Sequence, residues 1–252
     1  MSYNPYSLES KTILVTGASS GIGRITAIEC AKIGARVIIT ARNEQLLSET
    51  FSLLEGTGHQ MVIADLTQKD ELASLVEVLP KLDGFVCNAG IVKRRPINFI
   101  KEEELHEIFD INTFACFMLT KSIMKAKKVN KDGSIVFISS KAALQNTPGN
   151  SMYAASKAAI ASFSRSCALE YATKGIRANS VLPGMVETPL IYSDSLSAED
   201  IEKDKSRYLL KRYGRPEEIA WAIIYLLSNA SSWITGSSLI IDGGGRIVKE
   251  NS

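Results

Sequence analysis

The sequence predicts an α/β fold in which a doubly wound parallel sheet of seven strands carries helices on both faces. Short β-branched runs alternate with longer segments of helical apolar spacing along all 252 residues. No internal repeat, low-complexity tract or Pro/Gly-rich linker interrupts that alternation, so residues 1–252 read as a single domain.

The runs read as strands are 12–15, 36–40, 60–63, 84–87, 134–138, 178–182 and 238–241. Between them, 22–33, 44–54 and 102–124 have the length and apolar spacing of helices, and 152–171 reads as another. One stretch departs from the rhythm. Residues 187–212 are polar, contain Ser193, Ser195 and Ser197, and continue into a charged helix-like run, as expected of a lid over a site.

Composition narrows the function classes. An apolar share of 45%, 22% charged residues and a formal net charge of +2 describe an ordinary globular chain without a nucleic-acid footprint. Residues 1–10 are polar and broken by Pro5, which does not fit an export signal, and the longest apolar runs, such as 219–227, fall short of the ~20 residues that span a bilayer. A cytoplasmic location without membrane attachment is expected. Cys30, Cys87, Cys116 and Cys167 are scattered through apolar stretches and read as packing residues, and two histidines, His59 and His106, cannot assemble a histidine-rich metal site. No metal is expected.

Directly after the first strand comes Thr16-Gly17-Ala18-Ser19-Ser20-Gly21-Ile22-Gly23, and a helical pattern starts at once. Glycine allows a tight turn and close approach of backbone to phosphate, and a helix N-terminus offers free N–H groups with partial positive charge. A pyrophosphate is the group this turn fits. At the end of the second strand, where a carboxylate would bond the adenosine ribose of NAD, stand Ala41 and Arg42. Arg42 suits the extra phosphate of NADP, which points to NADP(H) with NAD(H) as a possible substitute.

Tyr153 and Lys157 are one helical turn apart and share a face. Bringing a tyrosine from a pKa near ~10 to about 7 takes roughly 4 kcal/mol of preference for the phenolate. One ammonium about 4 Å away supplies on the order of 4 kcal/mol at an effective dielectric near 20. Ser140, just past the fifth strand, is spaced to hydrogen-bond a reacting oxygen, while Ser139 is expected to point elsewhere. Asn112 is an amide within an apolar helical stretch and needs a reason to be buried.

The T-G-x-x-x-G-I-G turn resembles that of short-chain dehydrogenases/reductases, a Rossmann-like family. The resemblance continues through Asp65-Leu66, Asn88-Ala89-Gly90, Asn112, Ser140, Tyr153-x-x-x-Lys157, Pro183-Gly184 with Thr188, and Ile241-Asp242-Gly243-Gly244. It implies a catalytic group of Asn112, Ser140, Tyr153 and Lys157, with Asn112 holding a water that links Lys157 to solvent. It also implies a cofactor site that begins with Gly17, Ser19, Ser20, Gly21, Ile22, Gly23 and Arg42. Asp65, Leu66, Asn88, Ala89 and Gly90 continue that site, and Tyr153, Lys157, Pro183, Gly184, Val186 and Thr188 complete it. Cys87 departs from the family, where most members carry a second Asn.

The pattern is most similar to 3-oxoacyl-(acyl carrier protein) reductases, including Arg212-Tyr213-Gly214-Arg215-Pro216-Glu217-Glu218-Ile219 and Ile234-Thr235-Gly236. Sugar, nucleotide-sugar and small-ketone enzymes share these motifs and remain open. A dinucleotide-binding sensor without catalysis is the competing class, and retention of Ser140, Tyr153, Lys157 and Asn112 favours the enzyme. An acyl carrier protein is a candidate partner, with Lys125, Lys127, Lys128, Lys131 and Lys174 as candidate steering charges near the site mouth. The apolar run 219–227, with Trp221 and Tyr225, predicts a homotetramer or homodimer.

Overall fold

The computed structural model describes residues 3–189, 191 and 198–245. Seven strands form one sheet: β1 (Thr12–Thr16), β2 (Arg36–Ala41), β3 (Gln60–Ile63), β4 (Leu82–Cys87), β5 (Val129–Ile138), β6 (Arg177–Pro183) and β7 (Ser238–Ile241). All pairings are parallel, in the order β3-β2-β1-β4-β5-β6-β7. The order reverses between β1 and β4, which opens a crevice at their carboxyl ends. β5 starts five residues earlier than its apolar run suggests, because Val129 pairs with Leu82 before the register shifts and the ladder resumes at Gly84–Ser134.

Side-chain alternation along the central strands divides the core in two. Ile13, Val15, Val37, Ile39, Val86 and Val136 face α1 (Gly21–Lys32) and the chain's last described helix, Pro216–Leu227. Leu14, Ile38, Phe85, Ile135 and Phe137 face the opposite layer. That second layer holds α3 (Lys69–Val78), α5 (Ala115–Lys125) and α6 (Ser151–Tyr171), while α2 (Glu44–Ser52) flanks β3. Both sheet faces are therefore dry, which is why these strands read as continuous apolar runs. All four cysteines are buried and unpaired, packed into these two layers.

Residues 102–124 are helical throughout, as expected, but not α-helical throughout. α4 (Glu102–Phe109) passes through a π turn, Asp110–Phe114, into α5, and the Ala115 N–H donates to Asp110 O five residues back. One extra residue in the turn brings Asn112 and Thr113 inside without breaking the apolar pattern on either side. The remaining helices are α7 (Ala198–Lys205) and α8 (Pro216–Leu227). Among the described residues no helix is long and apolar enough to cross a membrane.

Two expectations need correction. The run 219–227 is largely covered within one chain, since α8 buries Ile219, Ala220, Ile223, Ile224, Leu226 and Leu227 against α1 and the sheet. Trp221 is the half-exposed residue, and its ring N–H donates to Glu29 at 2.9 Å, so α8 gives little reason for a partner. Lys125, Lys127, Lys128, Lys131 and Lys174 lie where β5 and β6 begin, the edge of the sheet opposite the crevice. They do not border the mouth of their own chain's site, and Lys128 is occupied by the carbonyls of Glu77 and Leu79.

Candidate active site

The cleft at the carboxyl ends of β1, β4, β5 and β6 encloses about 900 Å³. Ligand pockets commonly run to roughly 300–1,000 Å³, so this one has room for a dinucleotide with a small substrate beside it. Its floor is built by close backbone approach. A Cβ on Gly17, which has a φ of +64°, would lie 2.8 Å from Ala89 Cα, and one on Gly23 would lie 2.3 Å from both Gly17 O and Asn88 Nδ2. Gly23 does not line the cleft as the family pattern implies. Its bareness lets α1 settle against the β1 and β4 ends.

Thr16, the first residue of the glycine turn, ties those two ends together. Its hydroxyl accepts from Asn88 N at 2.9 Å and Ala89 N at 3.2 Å, and donates to Val86 O at 3.2 Å. The Asn88 amide donates to the carbonyls of Thr16 and Gly17 at 3.0 and 3.2 Å. Asn88 thus spends its side chain on the turn, leaving the Ala89–Gly90 surface for a ligand. The neighbouring Cys87 is buried with its sulfur 3.9 Å from Thr120 Oγ1, so that thiol has taken a packing role.

The residues fit a dinucleotide. Ser20 caps α1 without a side-chain bond to the helix, and the first turn carries no acidic residue, so its hydroxyl and the first N–H groups suit an anion. Gly17, Ser19, Ser20, Gly21 and Ile22 line this part of the cleft. Arg42, Asp65 and Leu66 line the part beyond β2 and β3, and Pro183, Gly184, Val186 and Thr188 the part beyond β6. Arg42 is half exposed and lies 3.5 Å from Asp65. Burial works against the Asp65 carboxylate, but hydrogen bonds from Thr67 N and Oγ1 and the Arg42 charge hold its pKa below the usual value.

Helix α6 brings Tyr153 and Lys157 to the same wall as Ser140. Ser139 points away, as expected: its hydroxyl is buried and donates to Lys157 O at 2.7 Å. The Lys157 amine donates to Ile138 O at 2.9 Å and sits 5.9 Å from the centre of the Tyr153 ring. Gly90 makes room for it, because a Cβ there would lie 3.1 Å from both Lys157 Nζ and Asn112 Oδ1.

The electrostatics differ from the simple pairing expected. Burial raises the Tyr153 pKa, and the Ser140 hydroxyl and the Arg94 charge oppose it without winning. Burial also pulls Lys157 down to about 8. The protein by itself holds a neutral phenol beside an ammonium directed at a carbonyl, so Lys157 alone does not bring Tyr153 toward 7.

Asn112 is not part of the cleft wall. It accepts from Ile91 N at 2.7 Å and donates to Ile91 O at 2.9 Å and Ser156 Oγ at 3.0 Å. Its side chain is fully spent on position, so a water there would have to use its main-chain carbonyl.

Within 187–212, the described residues that line the cleft run from Thr188 to Tyr208 and include Asp200, Lys203 and Arg207, whereas Ser193, Ser195 and Ser197 lie outside the described residues. Sequence reasoning also missed Arg94, Gln145 and Asn146, which line the cleft, Arg94 near enough for its charge to act on Tyr153. A run of three basic residues, Lys93 to Arg95, was the available signal for Arg94.

The family model described as enoyl-(acyl carrier protein) reductase matches residues 17–245. The 3-oxoacyl-[acyl-carrier-protein] reductase of Rickettsia bellii is 37% identical over 237 residues, covering 94% of this chain and 97% of that protein. A solved short chain dehydrogenase/reductase family protein superposes with a TM-score of 0.87 at 37% identity, covering 96% of this chain and 100% of its own. A putative NAD(P) dependent gluconate 5-dehydrogenase from Beutenbergia cavernae, solved with bound NADP, gives a TM-score of 0.88 at 31% identity, covering 96% and 98%.

Burying Lys157 has a consequence for stability. Below pH 8 the amine is charged in both folded and unfolded chains, and the full burial cost is present. Between about 8 and the ordinary value of 10.5 the folded chain has released a proton that the unfolded chain still holds, so rising pH favours folding. Lys157→Met is therefore expected to raise the melting temperature of the ligand-free protein at pH 7. Scanning calorimetry across pH 7–10.5 should find that gain shrinking as pH rises, and a gain independent of pH would remove the lysine's charge as its cause.

Proposed function

Because the chain belongs to the short-chain dehydrogenase/reductase family, and is an oxidoreductase of alcohol and ketone groups, we propose that it uses NADP(H) and that Tyr153 moves the proton. The observation that carries this reading is the convergence of Tyr153, Ser140 and Lys157 on one wall of the dinucleotide-sized cleft. When bound, the nicotinamide supplies or accepts the hydride at the carbonyl carbon. Tyr153 protonates the carbonyl oxygen in reduction and takes the proton back in oxidation. Ser140 donates a hydrogen bond to the same oxygen, and Lys157, charged below about pH 8, favours the phenolate once the cationic form of the cofactor adds its field.

Asn112 is a positioning residue, fixing Ile91 and Ser156 on either side of the lysine. Arg42, with no carboxylate at Ala41 to oppose it, grips the extra phosphate of NADP, for which it would exchange its loose contact with Asp65. Residues 1–252 act as one catalytic domain, and 187–212 serve as its lid.

For the substrate, the names of the relatives favour a 3-oxoacyl thioester on an acyl carrier protein. A second reading, a polyhydroxy acid or its keto form, is favoured by the polar wall of Ser140, Gln145, Asn146 and Arg94. We also infer a homo-oligomer, on grounds other than α8: Phe114 at the end of the π turn, Met118 of α5 and Leu169 of α6 are exposed, and Trp233, just before edge strand β7, is 98% exposed.

Tyr153→Phe should leave NADPH affinity within a few-fold while lowering turnover about 10²-fold or more, read by fluorescence titration beside steady-state rates. Near-normal turnover removes Tyr153 from its role. Arg42→Ala should weaken NADPH at least tenfold and NADH little, and a wild-type preference for NADH would show that Arg42 was misassigned. Sedimentation at micromolar concentration should give a dimer or tetramer, which Trp233→Lys or Leu169→Lys should weaken. A monomeric wild type overturns the assembly.

A further inference from the structure

Ser140 is followed at once by Lys141, whose ammonium pairs with Asp242 just past the end of β7. The strands that lead to these two residues are not neighbours, since β6 lies between β5 and β7. The pair therefore reaches across the end of β6. Both side chains are largely buried. Asp242 divides its acceptors: one carboxylate oxygen takes the ammonium, and the other takes Gly244 N–H at 3.0 Å. Gly184, just past β6, makes room for it, because a Cβ there would lie 2.9 Å from Asp242 Cβ.

Each partner holds a different part of the cleft wall. On one side Lys141 opens a short helical turn, Lys141–Ala143, and the Ser140 hydroxyl caps it by accepting from Ala142 N at 3.1 Å. The same hydroxyl acts on Tyr153 and favours its phenolate. On the other side, the turn after Asp242 holds the segment that follows α7. Leu210 N donates to Gly243 O at 3.2 Å, and Tyr208 pairs antiparallel with Gly245. Tyr208 and Gly245 both line the cleft.

Lys141 lines the cleft as well, which suggests a rival use as a cation for an anionic substrate. A lysine already paired with a largely buried carboxylate has no charge to spare for that role, and drawing it away would leave Asp242 unpaired and poorly hydrated.

We propose that Lys141 is a positioning residue: its ion pair with Asp242 joins the turn that carries Ser140 to the wall that carries Tyr208, and so fixes where the Ser140 hydroxyl meets Tyr153. The inference rests on the reading in which Tyr153 transfers the proton and Ser140 bonds the reacting oxygen. Such a pair governs rate more than affinity, because a slightly displaced donor spoils the reacting geometry while the cofactor keeps its contacts. Tyr153 is faced by Lys157 from its own helix, by Ser140 from the turn after β5 and by Arg94 from the segment after β4. Loss of the Lys141 pair disturbs only the second. Since Ser140 favours the phenolate, its displacement moves upward the pH at which Tyr153 loses its proton.

The test follows NADP reduction by the full chain from neutral to alkaline pH, with a 3-hydroxybutyryl thioester and gluconate as probes. Lys141→Met should lower kcat on the faster probe about tenfold or more, leave NADP affinity within about twofold, and move the rise of rate with pH upward by about half a unit. Asp242→Asn, which can still accept from Gly244 N, breaks the pair from the other end and should act alike, while Lys141→Arg should restore most of the rate. In a Ser140→Ala background Lys141→Met should cost little more, because the group it positions is already gone. Melting curves for every variant, with assays kept below them, separate these effects from unfolding. The full cost of Lys141→Met persisting in Ser140→Ala, a loss confined to the KM for gluconate, or a crystal structure of Lys141→Met with the Ser140 turn unmoved overturns the proposal. Full activity in Tyr153→Phe would instead overturn the proton-transfer reading, and the cycle between Lys141 and Ser140 would still decide the positioning.

Discussion

The crevice depends on the contact between the ends of β1 and β4. The chain turns toward opposite sides of the sheet after these two parallel neighbours, and Thr16 and Asn88 join their ends through five hydrogen bonds of 2.9–3.2 Å. The bare Cα atoms of Gly17 and Gly23 allow that approach, since a methyl group at either would overlap Ala89 or Asn88. The phosphate-binding turn and the loop that carries Gly90 are therefore one unit. Displacement of either would move the N-terminus of α1 relative to Lys157, and with it any ligand spanning the two.

A second constraint fixes the rotation of α6. Successive residues on a helix are 100° apart in direction, so a slight turn would swing Tyr153 or Lys157 out of the cleft. Bonds from two neighbouring elements oppose it. The Ser139 hydroxyl at the end of β5 donates to Lys157 O, and the Thr113 hydroxyl in the π turn donates to Ser156 O at 3.2 Å. Ser156 Oγ accepts from Asn112 and donates to Tyr153 O at 2.8 Å. The π turn has its reason here, for it is what directs Asn112 and Thr113 at α6.

Much of this was legible in the sequence because of physics that acts locally. Parallel strands buried on both faces leave unbroken apolar runs, and a glycine turn between a strand and a helix leaves its spacing, so all seven strands and the convergence of Ser140, Tyr153 and Lys157 could be read. What stayed hidden depends on relations between distant segments. The π turn at Asp110–Phe114 adds one residue to an apolar pattern that tolerates it. The lysines around the start of β5 looked close to the site until the sheet's direction put them at its far edge. The apolar girth of α8 looked like an interface, but α1 and the sheet cover most of it. Thr16 opens the glycine motif and Arg94 stands in a basic run, but neither pattern says what the side chain meets across the fold.

The same relations explain why Tyr153 and Lys157 cannot be understood as a tyrosine tuned by a nearby lysine. Burial raises the phenol's pKa and lowers that of the amine, so the two charged forms are both penalised in the ligand-free protein. The lysine's ammonium is directed at the Ile138 carbonyl, a backbone group at the end of a central strand, and its opposite side is left open by Gly90. Such a site is costly to fold, because the ammonium is kept charged at neutral pH against its burial while the phenol is held neutral. Under the proposed role of Tyr153, the positive charge of an oxidised nicotinamide would offset the cost that burial places on the phenolate.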